Sequence, residues 1–162
     1  LRALQVMAHA WSQDHVVLVE PDELRLARAR AELYPTLWAS WADLGEALSN
    51  TGDPEGAIRA YNEALARSPE EGRALAGRLR VFTDWKLSTG EVMARQALEV
   101  APLSPEVVIA AAAALEAAGK APDAAAALDA AWDALPGDRL LRRARESRGM
   151  SLEMPTAYPP RR

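Results

Sequence analysis

Ser12, Asp14 and His15 carry the side-chain types of a nucleophile, an orienting carboxylate and a base. Their placement defeats that chemistry, because such a triad must converge on one reacting atom, and neighbours on one helical turn do not. His9 and His15 lie six residues apart and point to different faces of a helix. The chain has no cysteine to complete a zinc set with them, so they read as surface or packing residues. Neither a G-x-G-x-x-G run nor a G-x-x-x-x-G-K-[ST] cradle for phosphate is present. The acidic pairs Asp22-Glu23 and Glu70-Glu71 fall at expected helix starts, where they complement the helix dipole. These residues point to a chain that is not an enzyme and takes no cofactor and no metal.

The elements around them come from composition and period. At 162 residues and 49% hydrophobic content, the chain can bury a core as one domain or as a stack of small units. No apolar run approaches the roughly 20 residues of a membrane span, and no signal peptide is visible. The chain opens at Leu1 rather than Met, as a processed product or a piece of a longer protein would. Net charge is −4, divided unevenly: from Pro136 onward the balance is +4, against −8 for the remainder. A basic end could meet phosphates, but the overall acidity and the lack of interleaved aromatics favour a solvated face, so no nucleic-acid partner is expected. Those arginines could equally dock an acidic protein surface.

Pro35, Pro69, Pro102 and Pro136 recur at intervals of 34, 33 and 34 residues. Between the first two, Trp41, Leu44-Gly45, Leu48, Ala57, Tyr61 and Ala64-Leu65 stand at fixed offsets. Thr51-Gly52-Asp53-Pro54 reads as a helix stop, an Asp N-cap and a proline at the first helical position, giving two antiparallel helices. This pattern resembles the tetratricopeptide repeat, W-x2-L-G-x2-Y then A-x3-F then P, with Leu48 and Tyr61 replacing two aromatics. The third unit keeps Val108, Ala111-Ala112, Leu115, Gly119, Ala124, Leu128 and Ala131 without the Trp and Tyr, and opens on Ser104-Pro105-Glu106 as cap and first turn. The middle unit keeps Leu75, Leu79, Phe82 and Ala97-Leu98. Its Ser68-Pro69-Glu70-Glu71 predicts a capping box. Its turn, Asp84 through Glu91, is long, so its second helix should start late, near Ser88, with Trp85 packed against the stack.

The resulting organisation is a degenerate repeat over 1–35, a repeat over 36–69, a repeat with a lengthened turn over 70–102 and a repeat over 103–136. A capping helix over 137–149 follows, with Leu140 and Leu141 buried against the third unit, then a proline-rich extended tail over 150–162 that docks on this chain or a partner. In the degenerate unit, residues 1–11 could form a first helix and Asp22 to Tyr34 the second, while residues 12–21 admit either a helix extension or an extended link. The resemblance implies an all-α fold, a right-handed superhelical solenoid of antiparallel helix pairs.

The resemblance also implies a protein-interaction scaffold whose first helices line a concave groove for a partner's peptide or helix. Carried onto this chain, that lining comprises Asp43, Glu46, Asn50, Arg80, Glu106, Ile109 and Ala113. The lysine and asparagine set that clamps a terminal carboxylate in some members is missing, which favours a basic or amphipathic segment. An alternative keeps the fold as a module of a larger bacterial enzyme or maturation machine; the lengthened middle turn is similar to that of cytochrome c biogenesis repeat domains. Richness in alanine and arginine suggests a bacterial source, and the segment reads as soluble, cytoplasmic or periplasmic, with its oligomeric state open.

Overall fold

The computed structural model describes residues 21–153. The two histidines, the Ser12 cluster, the proposed first helix over 1–11 and the tail beyond residue 153 lie outside the described residues. Within them are eight α-helices and no strand: α1 Asp22–Leu33, α2 Trp38–Asn50, α3 Pro54–Arg67, α4 Gly72–Asp84, α5 Gly90–Val100, α6 Pro105–Ala117, α7 Ala121–Ala134 and α8 Arg139–Glu146. No described helix is long and apolar enough to cross a membrane. The fold is all-α, a tetratricopeptide-type helical repeat array. The first helices α2, α4, α6 and α8 begin at 38, 72, 105 and 139, so the 34-residue period carries through to the last helix.

Local chemistry sets the helix limits. Asp53 caps α3, its Oδ1 accepting from the Gly56 N–H at 2.8 Å, with Pro54 at the first position. Asp138 caps α8 by accepting from Leu140 N and Leu141 N at 2.9 and 3.0 Å. Ser104 occupies the N-cap of α6, though its hydroxyl makes no capping bond. The capping box expected at Ser68 does not form. Ser68 instead closes α3, its N–H donating to Ala64 O, Pro69 and Glu70 form a turn, and α4 begins at Gly72 behind an Glu71 cap without a side-chain bond.

Each first helix ends in the same reversed-handed turn. Leu48 O accepts from Asp53 N, Phe82 O from Leu87 N and Leu115 O from Lys120 N, a Schellman arrangement that satisfies the last carbonyls. Gly52 and Gly119 take the left-handed residue in the outer units, and in the middle unit Lys86 does so, with φ 51. Leu87, Ser88 and Thr89 then follow before α5 starts at Gly90, which is the late start expected. Trp85, expected to pack, caps α4 at the solvent edge instead and is 45% exposed. Its place one residue past the end of α4 leaves it at the solvent edge of the turn.

Core residues are small and closely spaced. Ala57, Ala64, Ala74, Ala94, Ala111, Ala112 and Ala124 are fully buried where helices cross. One cluster spans α1 to α4 and another α4 to α8, and Leu65 packs against both. Tyr61 of α3, only 4% exposed, lies between α2 and α4. A Cβ on Gly45 would meet its ring at 2.9 Å and a Cβ on Gly77 would meet the ring's far end at 2.5 Å. Both glycines are therefore needed for the close approach of three helices.

The C-terminal end is closed by α8, which packs on α6 and α7. Leu141 is fully buried, as expected, but Leu140 is 43% exposed. It is the second residue of a first helix, equivalent in the period to Arg73 and Glu106, and so faces the groove rather than the third unit. After α8 the chain turns through Gly149 and returns along α7 to Glu153. Arg145, buried rather than basic surface, donates to Ser151 O at 2.9 and 2.6 Å, pairs with Asp129 at 2.5 Å and lies over the Trp132 ring. Trp132 Nε1 donates to Glu153 O at 3.1 Å and Met150 packs on the core. The described start of the tail thus docks on its own chain.

Candidate groove along the first helices

A cavity of about 490 Å³ runs between α4 and α6 and ends at α8. Arg73, Ala76 and Arg80 of α4 form one wall, Glu106, Ile109, Ala110 and Ala113 of α6 the other, and Leu140 of α8 the end. Apart from Ala110, the sixth residue of α6, these are second, fifth and ninth residues of successive first helices. The helical period places them on one side, while the intervening apolar residues Leu75, Leu79, Val108 and Leu115 point into the core. Four of the sequence-derived residues, Arg80, Glu106, Ile109 and Ala113, are brought together here.

Asp43, Glu46 and Asn50 of α2 line a separate cavity of about 290 Å³, with Glu23, Leu26, Ala27 and Arg30 of α1. The two cavities are joined by an ion-pair chain over α2. Asp43 accepts from Arg30 at 3.1 Å and from Arg73 at 2.8 Å, and Arg73 also reaches Glu46 at 2.7 Å. The acids of this region are thereby largely answered by the chain's own arginines, and the Arg73 guanidinium is pushed above its ordinary range by its bond to Glu46. Arg80 and Glu106 make no ion pair with another described residue. Beneath Arg73 and Arg80, burial pushes the Tyr61 hydroxyl up to about 12, with the Glu46 carboxylate adding to the rise.

Spacing alone did not single out Arg73, Ala76 and Leu140. The signal for them was present: Arg73 and Leu140 stand 33 residues before and 34 after Glu106. Among the described residues no group of His, Cys, Asp and Glu is arranged to hold a metal.

Paired helices in register, with exposed polar and apolar side chains gathered along their first members, define a helical-repeat module with a groove along its first helices. The family model of the tetratricopeptide repeat matches residues 38–81, covering α2, α3 and most of α4, which supports a tetratricopeptide repeat protein. No curated protein matches it. Repeats of this family indicate a protein–protein interaction module.

Proposed function

We propose that the chain is a scaffold that holds a segment of a partner protein in the groove between α4 and α6, with no catalysis of its own. The observation that carries this reading is the groove's composition. An aliphatic floor of Ala76, Ile109, Ala110 and Ala113 is flanked by Arg80 and Glu106, neither engaged in an ion pair with a described residue. Such a surface suits an amphipathic segment that buries aliphatic side chains and meets one charge of each sign. Asp43, Glu46 and Asn50 extend the binding surface across α2.

The test is affinity capture with the intact protein and mass spectrometry, comparing the wild type with an Ile109→Asp, Arg80→Glu double variant. Loss of the captured partners with unchanged helicity is expected. Undiminished capture would move the binding site elsewhere. A second reading, a repeat module within a larger bacterial enzyme or maturation machine, is favoured by the five residues between α4 and α5 where the other units have three.

A further inference from the structure

The turn between α4 and α5 departs from a pattern that the other two turns keep. Past the end of α2 the chain runs Thr51-Gly52-Asp53, and past the end of α6 it runs Ala118-Gly119-Lys120. At the same three places after α4 stand Trp85-Lys86-Leu87. Glycine takes the left-handed position freely, whereas Lys86 holds it at a cost in strain. Trp85 and Leu87 are both exposed. A strained lysine between two exposed apolar side chains stabilises nothing in the fold, and such departures gather at functional sites.

Beside this turn lies a cavity of about 500 Å³ that shares no lining residue with the groove. Phe82 and Leu87 face Ala117 and Ala118 of the α6 end across it, and Lys86 and Glu91 supply its charges. Glu91 is already answered by Arg95 at 3.0 Å, and Glu116 at the end of α6 by Arg148 at 2.6 Å. Asp84 follows Arg80 by four residues, on the groove side of α4, and does not line the cavity. Lys86 makes no ion pair with another described residue. The free charge at this cavity is therefore positive.

We propose that this edge is a second docking site, independent of the groove, for an acidic apolar segment of a partner protein. A bulky apolar side chain of the segment enters the cavity against Phe82 and Ala117, and a neighbouring carboxylate pairs with Lys86. Trp85 then covers the segment, as tryptophan does at the centre of many interfaces. The occupant is a polypeptide rather than a small carboxylic acid because Trp85 does not line the cavity. A small molecule filling it would leave that ring in water, whereas a longer segment covers both. The chain's own tail does not fit the site: it has no acidic residue beyond Glu153, and it departs beside Trp132, at the far end of α7 from this edge. Residues 1–20 join the array at α1, on the other side of α2 and α3.

Selection of a random peptide display library on the immobilised full chain, followed by fluorescence anisotropy of the enriched peptides, tests this. The expected set pairs a large apolar residue with Asp or Glu and binds less tightly as salt rises. Lys86→Glu and Ala117→Glu should each weaken it about tenfold or more, and Trp85→Ser should weaken it as well. Lys86→Arg keeps the charge and should keep most of the affinity. All three positions are exposed, and circular dichroism verifies that helicity is kept. Ile109→Asp, in the groove, should leave this set unaffected, so failure of either site is read separately. A library that yields no peptide sensitive to Lys86→Glu and Ala117→Glu overturns the proposal. So does a sensitive set that lacks acidic residues, or one that only Ile109→Asp weakens.

Discussion

Replacing Gly77 with alanine tests the three-helix contact on which the repeat register depends. The new methyl would sit 2.5 Å from Tyr61 Cζ, 2.6 Å from Cε1 and 2.7 Å from the hydroxyl oxygen, well inside van der Waals contact. The ring is buried and held on its other side by Gly45, so it cannot swing clear. Overpacking of this kind costs about 1–3 kcal/mol, against a gain of about 1 kcal/mol from helix propensity. Urea unfolding followed by far-UV circular dichroism should therefore show a net loss of up to about 2 kcal/mol. In a Tyr61→Leu background the obstructing far end of the ring is gone, and the same substitution should stabilise by about 1 kcal/mol. The double-mutant cycle then yields a coupling of roughly 1–3 kcal/mol, the overpacking term itself. Tyr61→Phe, which leaves Cζ in place, should give no rescue. Gly45→Ala should be only partly rescued by leucine, since its obstacles include the Cδ atoms near the branch point. Equal costs of Gly77→Ala with tyrosine and with leucine at position 61 would refute the reasoning.

Lys86 holds a left-handed conformation that costs a side-chain-bearing residue about 1–2 kcal/mol. Lys86→Gly should raise stability by roughly 0.5–1 kcal/mol after glycine's own entropy cost, and a lowered melting temperature would contradict the assignment of that turn. Arg145→Met removes the hydrogen bonds to Ser151 and the pair with Asp129, which is half exposed and keeps its hydration. A loss of about 2 kcal/mol is expected, with a red shift in Trp132 fluorescence as the returning segment lifts; an unshifted spectrum would mean that the segment is held by other contacts. Burial raises Tyr61 from 10.0 to about 12, so the folded chain keeps the phenolic proton that the unfolded chain releases. That contribution is full below pH 10 and is lost as pH rises towards 12. Unfolding measured across this window should show a steeper decline for the wild type than for Tyr61→Phe.

The repeat period was legible because close helix crossings demand small residues at fixed offsets, and Gly45, Ala57 and Ala64 supply them. The resemblance to the repeat family, in which first helices line the groove, pointed to Arg80, Glu106, Ile109 and Ala113, and the structure places these four along one cavity. Ser68 misled because a hydroxyl followed by proline and glutamate suits a helix start as well as a stop, and only the preceding helix decides between them. Trp85 misled because its size favours burial, while its position one residue past the end of α4 leaves it nothing to pack on. The role of Arg145 was hidden for a related reason: its partners are mostly main-chain carbonyls of a segment with no periodic pattern. Leu140 needed only the period carried one helix further.

The ion pairs that run from Arg30 through Asp43 and Arg73 to Glu46 cross three helices and have a thermodynamic consequence. A charged ligand arriving over α2 does not meet free charges; it must displace bonds the protein already makes to itself. Recognition there is an exchange reaction, in which one ion pair replaces another of similar strength. Salt weakens both sides of such an exchange, so contacts over α2 contribute little to the ionic-strength dependence of affinity. They contribute instead through geometry, rewarding only a ligand whose charges match the spacing of the arginines it releases.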